Sequence, residues 1–74
     1  MHDLKTLHGG YAVHAYAQEL ADGRFSPVAV VNADEGGESV DSVIKVPPPH
    51  EFVDGKAAST HALGAAIAWI DAHG

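Results

Sequence analysis

An Asp-Gly pair at Asp22-Gly23 separates two segments that both carry β-type patterns, and no other feature constrains the fold as much. Asp-Gly suits a tight hairpin, because glycine takes positive φ without a Cβ clash and aspartate tolerates it. Before the pair, Tyr11 to Leu20 alternates. Tyr11, Val13, Ala15 and Ala17 fall on one side, and Ala12, His14, Tyr16 and Gln18 on the other. A period of two is that of a strand. After the pair, Phe25 to Asn32 reads as a second strand. Its Val28–Val31 run is apolar on both faces, as in a central strand or one lying under a partner. Pro27 has no N–H, so it belongs near the strand start or at a bulge.

The remaining elements follow from punctuation. Asn32 to Glu38 is polar and centred on Gly36-Gly37, a turn leading into a third strand over Ser39–Val46. Pro47-Pro48-Pro49 favours a stiff polyproline II spacer that takes the chain off the sheet edge. Asp54 to His73 has helical composition. Asp54 is a candidate N-cap with Val53 stapling to Ala58, and Ser59 is an alternative cap. Ala62, Leu63, Ala66, Trp69 and Ile70 share one face at helical spacing. Residues 1–9 read as a flexible N-terminus closed by Gly9-Gly10.

These elements predict an α+β fold, β-β-β-α. One domain over residues 1–74 holds a three-stranded antiparallel meander with its second strand central. The C-terminal helix packs on one sheet face. The expected core is Tyr11, Val13, Ala15, Phe25, Ala29, Val31, Val40, Ile44 and Val46 against Leu63, Ala66, Trp69 and Ile70. One helix cannot cover both faces. His14, Tyr16, Val28, Val30 and Val43 then form an uncovered patch, flanked by Asp41 and Lys45. Such a patch marks an interface.

Size strengthens that expectation. A chain of 74 residues is marginal as an isolated domain, and with no cysteine it has no disulfide staple. A homodimer, or another protein partner, supplies the missing burial. The net charge of −6, with Lys5, Arg24, Lys45 and Lys56 scattered, argues against nucleic-acid binding. No apolar run is long enough for a signal peptide or a membrane span, so a soluble cytoplasmic protein is the expectation.

Catalytic and metal signals are weak. His61 and His73 are twelve apart and lie on different sides of the helix, not at the four-residue spacing of a zinc pair. His2, His8, His14 and His50 belong to other segments. A site of His14 with His50 or His8 and Asp41 is conceivable, and a small histidine-based metal-binding protein is one alternative. Asp34, Glu35 and Glu38 lack a calcium-loop register. Gly37-Glu38-Ser39-Val40-Asp41 has Asp where a nucleophile elbow needs its second Gly. No catalytic residue, metal ligand or cofactor is assigned, and the protein is expected not to be an enzyme.

Two resemblances accompany this pattern. Gly10-Tyr11-x-Val13, Asp22-Gly23-Arg24-Phe25 and Ala62-x3-Ala66-x2-Trp69-Ile70-Asp71 together resemble small β-β-β-α proteins of Burkholderia and related bacteria. That resemblance implies a fold rather than an activity. Tyr11-Ala12-Val13, Asp22-Gly23 and Ala66 to Ile70 are more distantly similar in outline to HicB-type antitoxin domains. The HicB outline implies a protein that neutralises a small basic toxin. The Pro-x-x-Pro-Gly-Cys-like segment of that family is missing, so its DNA-binding role is not implied.

Overall fold

The computed structural model describes residues 3–35 and 37–73, the side chains of residues 34, 35 and 73 excepted. Its elements are β1 (Leu4–His8), β2 (Tyr11–Glu19), β3 (Phe25–Glu35), β4 (Glu38–Ile44) and α1 (Gly55–His73). The class is α+β as expected, but the sheet has four antiparallel strands in sequential order rather than three. The added strand, β1, lies in the segment expected to be flexible. Gly9 and Gly10 both take positive φ, 57° and 84°, and close a two-residue turn with His8 opposite Tyr11. Positive φ at both central residues defines the turn whose twist matches that of paired strands. Gly-Gly is therefore a hairpin signal here, not simple punctuation. With β1 present, β2 and β3 are both central.

The Asp22-Gly23 turn forms where the sequence places it. The Gly23 N–H donates to Leu20 O (3.0 Å), the Leu20 N–H donates to Arg24 O (2.7 Å), and the Asp22 carboxylate accepts from the Arg24 N–H (3.0 Å). The second expected loop is shorter than its polar residues suggest. β3 continues to Glu35, which faces Glu38 of β4. Pairing between β2 and β3 ends at Asn32, so this hairpin projects past β2. That projection explains one correction to the core. Val40 faces Ala33 in the projecting part and is 40% exposed.

The third expected strand stops at Ile44 instead of Val46. Ala29 faces Ile44, so in unbroken register Phe25 would face Pro48; it faces Phe52, which means four residues are looped out. Phe25 and Phe52 exchange both backbone bonds, at 2.7 and 2.8 Å. The prolines are thus a detour within the sheet edge, after which the chain pairs once more before leaving. The same pairing explains Pro27, which faces Ala17 in continuous register without a bulge. Backbone polar groups alternate sides along a strand. Phe25 directs its own toward Phe52, so the Pro27 nitrogen also points to that side, where β4 has ended and no ladder bond is lost.

α1 lies over β2 and β3. Its buried stripe is Ala58, Ala62, Ala66 and Ile70, and the three alanines are fully buried. Small side chains at successive turns let the helix axis approach the sheet closely. Against them pack Val13, Ala15, Ala29, Val31, Ile44 and Val46. Tyr11, Phe25, Leu63 and Trp69, expected in the core, are only half-buried at its margin. Tyr11 and Trp69 meet edge to face at 6.2 Å. Asp54 caps the helix, its carboxylate accepting from the Lys56 N–H at 3.3 Å. Val53 makes no staple, being 85% exposed. Ser59 is not a cap either. Its buried hydroxyl donates within the helix toward Gly55 O and Lys56 O, both at 3.1 Å.

Candidate functional site

The site follows from strand parity. Residues of the sheet whose neighbours are buried under α1 point to the opposite face, which no element among the described residues covers. Register lines them up in rows. Lys5, His14, Val30 and Val43 form one row across all four strands. Leu7, Ala12, Asn32 and Asp41 form the next. Tyr16 and Val28 pair in the row on the other side. All five residues expected at an interface, His14, Tyr16, Val28, Val30 and Val43, therefore share one contiguous surface. Val43 is 77% exposed, while the other four are half-buried by one another.

β1 adds what the sequence pattern did not supply. Leu7 is 81% exposed and extends the apolar centre to the sheet edge. The alternation Leu4-x-Thr6-x-His8, followed by Gly-Gly, was the signal that could have placed it. The curved sheet forms a concavity of about 450 Å³ on this face. It is lined by Lys5, Leu7, Ala12, His14, Val30, Asn32 and Asp41, together with Thr6 and Val13.

Polar groups on the face are partly committed. Asn32 Nδ2 donates to Asp41 Oδ1 at 2.6 Å and to Ser39 Oγ at 2.5 Å, which fixes the Asp41 carboxylate at the β4 edge. The His14 ring leans on Tyr16 at 5.1 Å. Its Nε2 is occluded, has no hydrogen-bond partner among the described residues, and lies 4.0 Å from Asp3 Oδ2. The Lys5 ammonium has no ion-pair partner among the described residues.

The other described histidines serve the fold. His8 Nε2 meets Asp71 Oδ1 at 2.8 Å, tying the end of β1 to the last turn of α1. His61 Nε2 is 2.8 Å from Pro47 O and its ring is 5.3 Å from that of Phe52. His50 Nε2 is 3.1 Å from Val46 O. The conceivable grouping of His14 with His8 or His50 is thus not assembled, since His8 sits on the helix side of the sheet. Among the described residues no three His, Asp or Glu groups converge as metal ligands. His2, and the side chains of Asp34, Glu35 and His73, lie outside the described residues.

Among the described residues no helix is long and apolar enough to cross a membrane. The chain matches no family model, no curated protein and no solved structure.

Proposed function

We propose that this chain is a non-catalytic interaction module that pairs with a second copy of itself through the helix-free sheet face. The observation that supports this reading best is the contiguous patch of Leu7, Tyr16, Val28, Val30 and Val43 on a sheet that α1 covers on one side only. Each half of such a pair would bury the apolar centre that one small domain leaves in water.

Scale sets the expected strength. Four strands about 4.8 Å apart, with about six residues each rising 3.3 Å, give a footprint on the order of 400 Å² per partner. Two such faces bury on the order of 800 Å² together, below the roughly 1,200 Å² of stable specific interfaces, so the pair is weak and transient and forms and dissociates with concentration. Sedimentation velocity from micromolar to near-millimolar chain should show wild type moving from monomer toward dimer. Val30→Asp places a carboxylate at the centre of the patch and should remain monomeric with a similar melting temperature. Wild type that is monomeric across the whole range refutes the proposal.

A further inference from the structure

We infer that the concavity on the open face is a binding site for a short zwitterion with an apolar body, of the kind an uncapped apolar dipeptide supplies. Its volume, about 450 Å³, is in the range of small-molecule sites. Its floor is apolar, from Ala12 of β2 and Val30 of β3, with Leu7 beside them. Its charges stand on opposite walls. Lys5 comes from β1, and its ammonium has no ion-pair partner among the described residues. Asp3, two residues before it, approaches His14 instead. Asp41 comes from β4. Asn32 Nδ2 donates to its Oδ1 at 2.6 Å, and its Oδ2 has no hydrogen bond among the described residues. A ligand with a single charge leaves one of these walls unanswered. A carboxylate on Lys5 and an ammonium on Asp41 answer both, and an apolar body between them covers Ala12 and Val30.

Register sets the length. Lys5 is three strand spacings and one row from Asp41, about 16 Å between Cα positions on a flat sheet. A contact of about 3 Å at each end leaves about 10 Å. Sheet curvature and an inward lean of the lysine stem shorten that gap. An extended two-residue peptide spans about 7 Å, and a single amino acid only half of that. The site goes beyond the self-association reading. It shares Leu7 and Val30 with the proposed pairing surface, so peptide and second copy compete for the face.

The test is an NMR titration of isotopically labelled chain, at tens of micromolar where pairing is weak. The probes are the dipeptide Val-Leu and its N-acetyl and C-terminal amide forms. A ligand of this size should bind with a dissociation constant on the order of 0.1–1 mM and shift the amides that line the concavity. Acetylation and Asp41→Asn should each weaken binding about two- to fivefold, and together no more than either alone. Amidation and Lys5→Met should behave likewise. Asp41→Asn keeps an oxygen that accepts from Asn32, and the capped peptides test the same contacts without altering the protein. No saturation up to about 10 mM peptide, or shifts confined to another surface, overturns the site. Caps and substitutions that act independently overturn the zwitterion. Sedimentation of the peptide-free chain separates the two readings. A dimer that binds no peptide overturns this site alone, and a monomer that binds peptide overturns self-association alone.

Discussion

The turn between β1 and β2 offers a test in which two physical effects predict opposite orders. Gly9 has φ 57°, inside the left-handed region, whereas Gly10 has φ 84°, beyond it. On backbone strain alone, alanine should cost more at Gly10 than at Gly9. Left-handed backbone costs an L-residue about 1–2 kcal/mol. Space reverses the order. A Cβ at Gly10 meets nothing within 4 Å, whereas one at Gly9 comes 3.0 Å from Ile70 Cγ2. Ile70 is only 2% exposed beneath the last turns of α1 and has no room to retreat. Displacing a packed side chain costs about 1–3 kcal/mol more. Gly10→Ala should therefore cost about 1–2 kcal/mol and Gly9→Ala about 2–4 kcal/mol.

For a domain of this size each kcal/mol lowers the melting temperature by about 4–8 °C, so the two variants should separate clearly. Urea and thermal melts in the Val30→Asp background remove any contribution from association. The restriction of the unfolded chain by alanine is common to both and cancels in the comparison. If Gly9→Ala is the milder substitution, the packing of this turn on the helix end is refuted.

Two further outcomes follow from the helix. Ala62→Leu should destabilise by about 1–3 kcal/mol, because Ala62 is fully buried where the helix meets the sheet. Ala68→Leu, on the exposed side, should change the melting temperature little. Asp54→Ala should cost about 0.5–2 kcal/mol through loss of the cap, with Asp54→Asn retaining most of it, both read from chemical denaturation.

Much of the candidate face was legible before the structure. Period two in Tyr11–Glu19 and the doubly apolar Val28–Val31 run place His14, Tyr16, Val28 and Val30 on one side, whatever happens at the ends of the sheet. Val43 joins them because the β3–β4 register pairs it with Val30. Leu7 and Lys5 escaped notice because β1 is only five residues long with mixed polarity. A short edge strand buries little, so it leaves little pattern. Its position is held by the Gly-Gly turn, by Leu4 against the core, and by His8 on Asp71. The polar residues of Asn32–Glu35 misled in the other direction. Residues 33–35 lie past the last β2 pair, where only β4 flanks β3 and no apolar signature is required.

The sequence by itself determined the strand periodicity, the Asp22-Gly23 hairpin, the Asp54 cap and the alanine stripe, because each depends on neighbours within a few residues. Tertiary structure decided the fourth strand, the return of Phe52 to Phe25 past the prolines, and which charges stand at the two edges of the open face. Those features depend on pairing between segments far apart in the chain. Local chemistry allows several such pairings, and only simultaneous packing of sheet and helix selects one.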